Sequence, residues 1–224
     1  MTSARRMGPK GSEIWHLMLD GAERILQDRG YGELTSRSLA ESIGVKQRLV
    51  YYYFHTMDDL IVETFRRLAV REIERLEQAL ESEHSLREIW KVFVSTADTK
   101  LVSEFMALAN RIEALRQEVK AHIETCRKLQ VATLERALRS AGRPLAISPV
   151  AVTIFANAAA LTLHREVAIG VTDGHAAVLE VIAGFIALHD PDKGTETAAE
   201  QDRLTARMAA NMVTSRSRKP ARSR

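Results

Sequence analysis

Cysteine, glycine and proline are all scarce in this chain of 224 residues. The one cysteine, Cys126, cannot close an internal disulfide. Packing must therefore hold the fold, and a reducing compartment such as the cytoplasm suits it. There are 11 glycines and 5 prolines, and β-branched residues rarely alternate with polar ones. A sheet protein with many turns is thereby disfavoured. No glycine-rich phosphate loop, zinc-type Cys/His spacing or nucleophile elbow occurs. No catalytic residue, metal ligand or cofactor is expected as a result. Two Glu-x-x-His runs, Glu13 to His16 and Glu81 to His84, have a spacing that di-iron bundles use in pairs. The bridging carboxylates such a site needs are not apparent, so both runs read as chance and the chain reads as a non-enzyme.

Residues 1–11 are basic but carry no apolar run of the kind a secretory signal needs. Pro144 to His164 is a stretch of 21 residues without Asp, Glu, Lys or Arg, long enough in principle to span a bilayer. Ser148, Pro149, Thr153, Asn157 and Thr162 dilute it, and Arg165 and Glu166 follow at once. It reads as a buried helix, with no membrane partner and a cytoplasmic location expected.

What is present is helical periodicity. Hydrophobic residues make up 46% and charged residues 27% of the chain, enough for a packed core. The apolar spacing predicts an all-α fold of about nine helices. Ser12 caps the first, which carries Ile14, Leu17, Met18, Gly21, Ala22, Ile25 and Leu26 on one face and stops at Gly30. Two short helices follow within 34–54. Thr35 and Ser36 precede Leu39, Ala40 and Ile43; Gly44 turns the chain; Leu49, Val50 and Phe54 then recur among Lys46, Gln47, Arg48 and three tyrosines. Helix, glycine turn and a second helix rich in amide, cationic and phenolic groups make a helix-turn-helix, whose second helix enters the DNA major groove. Thr56 and Asp59 form a capping box for a long helix to about Glu81.

The charge is uneven. Residues 1–55 hold 8 Lys/Arg against 6 Asp/Glu, residues 203–224 hold 7 against none, and the middle is acidic. Basic ends suit contact with nucleic acid. The expected divisions are a basic arm over 1–11, a DNA-binding domain over 12–71 with its motif at 34–53, an effector-binding and dimerisation domain over 72–191, and a polar to basic tail over 192–224, read as disordered.

Gly30-Tyr31, Leu39-Ala40, Gly44-Val45, Val50-Tyr51, Phe54 and Asp58-Asp59-Leu60 together resemble the tetracycline-repressor (TetR) family of bacterial transcription regulators. The resemblance covers about the first quarter of the chain. It implies an all-helical homodimer with an operator-binding head and a body holding a small-molecule pocket. There are two departures. Met57 stands where the family usually has a phosphate-contacting lysine, and Arg48 stands where a small residue or proline is common.

On the exposed face of the third helix, Gln47 is expected to read adenine and Arg48 guanine, with Tyr52 beside them. Ser36, Lys46, Tyr51, Tyr53 and His55 are expected on phosphate oxygens, fixing register. For Tyr53 and Leu49, packing against the first two helices is an equal alternative. By the family resemblance, Arg37 touches phosphate or a flanking base. Trp90, Phe93, Phe105, Met106 and Phe155 are candidates to line an effector pocket, with ordinary core as the competing role. Thr153, Asn157 and His164 share one face of an otherwise apolar helix and need polar partners.

The helices over 149–170 and 175–188 are apolar on more than one face, which predicts a homodimer formed through them. A dimeric repressor of palindromic double-stranded operator DNA, released by a small and largely apolar effector, is the expected function. The alternative is a sequence-tolerant, nucleoid-type DNA binder without effector.

Overall fold

The computed structural model describes residues 8–82, 85–95, 99–142 and 146–189. Expectations resting on residues 1–7 of the basic arm, the second Glu-x-x-His run, the Phe93 side chain and the tail over 192–224 lie outside the described residues. Those residues form nine α-helices and no strand: α1 (Glu13–Arg29), α2 (Ser36–Ser42), α3 (Gln47–Tyr53), α4 (Met57–Glu81), α5 (Ser85–Ser95), α6 (Thr99–Ala109), α7 (Glu113–Ala141), α8 (Pro149–Ile169) and α9 (His175–His189). A single 3₁₀ turn, Tyr31–Glu33, lies between α1 and α2.

Local signals account for most of the boundaries. Ser12 Oγ accepts from the Trp15 backbone N–H at 3.3 Å, starting α1. Thr35 Oγ1 accepts from the Ser38 N–H, and Ser38 Oγ accepts from the Thr35 N–H, both at 3.0 Å. This reciprocal box opens α2. A second box opens α4: Thr56 N–H donates to Asp59 Oδ2 at 2.9 Å, and Asp59 N–H donates to Thr56 Oγ1 at 3.1 Å. Gly44 stops α2 at φ +71°. Around it the Val45 N–H donates to the Ala40 carbonyl at 2.9 Å and the Gly44 N–H to the Glu41 carbonyl at 3.4 Å. That pair of bonds is a Schellman turn, closed by a glycine in the left-handed region.

The chain divides into two compact units. Of the described residues, the first takes 8–74 and 100–125. Its core gathers Met18, Leu19, Ala22 and Leu26 of α1, Leu39 and Ala40 of α2, Val50 of α3, and Leu60, Ile61 and Phe65 of α4. Leu101, Phe105 and Leu108 of α6 and Leu115 and Val119 of α7 join the same core. Residues 100–125 therefore pack with the N-terminal helices, although sequence placed them in the 72–191 segment. The reason is burial: α6 turns three large apolar residues inward, and Phe105 meets the Phe65 ring edge-on at 5.2 Å.

Of the described residues, the second unit takes 75–82, 85–95, 99, 126–142 and 146–189. Leu86, Leu134, Ala137 and Leu138 are buried together against Val152 and Phe185, and Leu76, Ala79 and Ile89 against Val92 and Leu129. Pro149 stands in the first turn of α8, and Gly170 ends it in the left-handed region. Facing outward from α8 and α9 are Phe155, 66% exposed, and Val181, 73% exposed. No helix among the described residues is long and apolar enough to cross a membrane.

The Gly44 turn yields a clean test. A Cβ at Gly44 would meet nothing within 4 Å, so an alanine there costs backbone strain alone. Gly44→Ala is expected to lower stability by about 1–2 kcal/mol, measured by urea unfolding. Gly32→Ala, also in open space but without positive φ, should stay within about 0.5 kcal/mol of the parent. Equal effects at both positions would contradict the assigned role of Gly44.

Candidate nucleic-acid interface

The first unit carries the helix-turn-helix. Helix α3 is seven residues long and stays in place because Val50 and Tyr53 are buried and Leu49 packs partly buried on the core. This inward stripe leaves Lys46, Gln47, Arg48, Tyr51 and Tyr52 exposed. The exposed set presents one amide, two cations and two phenols. Chemically, these are donors for base edges and for phosphate oxygens.

The polar side chains are not all free. Gln47 Nε2 donates to Ser36 Oγ at 2.8 Å, and Tyr51 Oη donates to the same oxygen at 3.1 Å. Ser36 itself is only 6% exposed. It sits inside the first turn of α2 while Thr35 does the capping. Arg37 is fully exposed and pairs with Glu41 at 2.8 Å. The hydrogen bond to Glu41 raises the guanidinium pKa further above its usual value. His55 is exposed at the α3–α4 connection. Met57, the departure from the family lysine, is half-buried and packs on the core.

Tyr53 corrects one expectation. Its ring is buried, and a Cβ on Gly8 would come within 2.6 Å of it. The Tyr53 hydroxyl accepts from Ser12 Oγ at 3.4 Å, so it is a packing residue rather than an outward phosphate ligand. The Gly8 N–H donates to the Tyr52 carbonyl at 2.7 Å. Lys10, assigned to the basic arm, forms an ion pair with Glu63 at 2.8 Å.

The pocket candidates do not form one group. Phe105 is 1% exposed in the core of the first unit, which makes it core and corrects its assignment to a pocket. Met106, its neighbour in α6, is exposed, and so is Phe155 in α8. Trp90, in α5 of the second unit, is half-buried. The polar face of α8 finds protein partners: Asn157 Nδ2 donates to Gln130 Oε1 at 2.9 Å, and Thr153 Oγ1 donates to the Pro149 carbonyl at 2.8 Å. His164 is half-buried on the same helix.

Sequence reasoning missed Glu104. Its Oε2 accepts from the Tyr31 N–H at 3.2 Å, tying α6 to the turn before α2. Nothing local marks it, because the two residues lie 73 positions apart. Among the described residues no cluster of His, Cys, Asp and Glu could hold a metal ion.

The pattern described as bacterial regulatory proteins, tetR family, matches residues 18–64, from the second turn of α1 to the first two turns of α4. Residues 18–64 thus form a head of the tetR-family type. It is similar to the "Fatty acid metabolism regulator protein" of Bacillus subtilis (strain 168), with 24% identity over 101 residues, 45% of this chain and 52% of that protein. The chain thus spans about half the length of the curated relative it matches. The tetR-family fold continues beyond the head. A TetR transcription regulator from Haloarcula marismortui ATCC 43049 superposes with a TM-score of 0.64 at 18% identity, over 78% of this chain and 97% of that one. The transcriptional regulator FadR from Bacillus subtilis, in complex with stearoyl-CoA, superposes with a TM-score of 0.52 at 16% identity, over 80% and 99%.

Two substitutions in this tetR-family head separate sequence reading from phosphate binding. Lys46→Ala should weaken binding to all duplexes alike and lower the salt slope by about 1. Arg48→Ala should cost about 1–3 kcal/mol on a preferred sequence and much less on random DNA. Fluorescence anisotropy over a salt series distinguishes them; an equal loss on both duplexes for Arg48→Ala would remove it from the readers.

Proposed function

We propose that the protein is a dimeric, sequence-specific regulator of transcription in the cytoplasm, a repressor that leaves its operator when a small, largely apolar effector binds. The observation that carries this reading is the exposed face of α3, where Gln47, Arg48 and Tyr52 stand on a tetR-family head. Amide and guanidinium groups at the start of a recognition helix suit base edges in the major groove. Lys46, Arg37, Tyr51 and His55 are the proposed phosphate contacts around them.

Dimerisation through α8 and α9 is supported by their outward apolar side chains. Ile154, Phe155 and Leu161 of α8 and Val178, Val181 and Leu188 of α9 are all exposed. Apolar residues exposed at this density mark an interaction surface. A second copy brings a second head, which two half-sites of a palindrome require.

For the effector, the motivating relative is the Bacillus subtilis regulator bound to stearoyl-CoA. A long acyl chain fits an apolar effector with a polar end, so an acyl thioester is the proposed class. To switch the head, it must bind the released state better than the DNA-bound state.

Selection of random duplexes with the purified protein tests the DNA reading. The expected product is an inverted repeat bound about 10³-fold or more tighter than random DNA at physiological salt. Its half-sites should lie about one helical turn apart or a multiple of it. Enrichment of no sequence would favour sequence-tolerant binding and overturn the proposal. For the effector, stearoyl-CoA should raise the melting temperature and release the selected operator, whereas coenzyme A alone should do neither. A thermal shift produced only by ionic sugars would contradict an apolar effector.

A further inference from the structure

Ser36 was expected to touch phosphate directly, and its burial removes it from that role. Its surroundings assign it another. Among the described residues, the partners of Ser36 Oγ are the Gln47 amide at 2.8 Å and the Tyr51 hydroxyl at 3.1 Å. Gln47 opens α3 and Tyr51 follows one turn later on the same face, which is why both reach one oxygen. One of these residues is a proposed base reader and the other a proposed phosphate contact. We infer that Ser36 is a positioning residue that couples the two. Its buried hydroxyl joins the Gln47 amide and the Tyr51 hydroxyl in one chain of donors directed at the DNA. This rests on the DNA reading above.

The direction of the chain follows from donor and acceptor capacity. A serine hydroxyl has one donor hydrogen and two acceptor positions, and the amide nitrogen of glutamine can only donate. Gln47 therefore occupies one acceptor position. The hydroxyl hydrogens of Ser36 and Tyr51 rotate, so the bond between them can run either way. Without DNA, Tyr51 can donate to Ser36. A phosphate oxygen beside Tyr51 accepts only, and so draws the Tyr51 hydrogen outward. Ser36 then turns its own hydrogen to the Tyr51 oxygen. The order becomes Gln47 to Ser36 to Tyr51 to phosphate, and each bond polarises the next.

The same contact fixes the reader. The terminal torsion of a glutamine is broad and nearly two-fold. Once the Ser36 hydrogen is turned to Tyr51, Ser36 can only accept from the amide, so Nε2 rather than Oε1 must face it and one of the two amide orientations is selected. The second N–H and Oε1 remain available, and these are the donor and acceptor that pair with adenine N7 and N6. Without the Ser36 hydroxyl, both amide orientations become accessible and the adenine preference should relax. Gln47 and Tyr51 are solvent-exposed, so water can replace the lost partner and the fold should survive.

The test is a set of binding measurements on the selected operator. Gln47→Ala, Tyr51→Phe and the double variant are each made with Ser36 and with Ser36→Ala. Circular dichroism and urea unfolding confirm that every variant is folded. With Ser36 present, the loss in the double variant should differ from the product of the single losses by about 3-fold or more. With Ser36→Ala the losses should multiply. Ser36→Ala should also lower discrimination for adenine at the Gln47 position by about 10-fold, and Ser36→Thr, which keeps the hydroxyl, should retain both effects. Multiplicative losses with Ser36 present, or the same deviation in both backgrounds, would overturn the coupling. So would equal adenine discrimination in the parent and Ser36→Ala. Failure of the parent protein to prefer any operator is a separate outcome, which overturns the DNA reading and this inference with it.

Discussion

A helix of seven residues does not persist alone in water, where even favourable sequences need about 12–15 residues. The position of α3 is therefore borrowed from the core beneath it. Val50 is almost wholly buried, worth about 1.5–3 kcal/mol for such a side chain. Tyr53 and Phe54 are buried beside it, and Leu49 lies against the same cluster. Every inward residue fixes the rotation of α3 and so decides which residues face outward. Adjacent helix residues lie about 100° apart, so a turn by that step would carry Gln47 away from Ser36 and put a neighbouring position in its place.

The turn before it carries the second constraint. The Gly44 Schellman bonds end α2 and aim the chain into α3 within a few residues. Ser36 and Gln47, 11 positions apart, can then meet across that turn. Glu104 holds the other approach, through the Tyr31 N–H before α2. The helix-turn-helix is thus set by apolar burial from below, a left-handed glycine within, and a carboxylate from α6 behind.

Features encoded within three or four residues were legible in the sequence. The Ser12 cap, the Thr56–Asp59 box and the Gly30 and Gly44 stops are all local patterns. The exposed Gln47 and Arg48 followed from helical period alone. Contacts between distant positions were not legible. Tyr53 reads as polar by type, yet its register on α3 points it at the core. Phe105 reads as a pocket candidate by type, yet it packs edge-on against Phe65. Ser36 looks like a phosphate ligand at a helix start, but burial leaves its hydroxyl to two neighbours. Asn157 invites a ligand until Gln130, 27 residues earlier, is seen to satisfy it. In each case residue type was correct evidence of chemistry and insufficient evidence of direction.

In the proposed function, α3 enters the major groove with its amide and guanidinium groups on base edges. Methylation interference on the selected operator tests it most directly, because dimethyl sulfate marks guanine N7 in the major groove and adenine N3 in the minor groove. The structure predicts that methylated guanine N7 within each half-site is excluded from the bound fraction. Interference confined to adenine N3, with guanine N7 methylation tolerated throughout both half-sites, would contradict it.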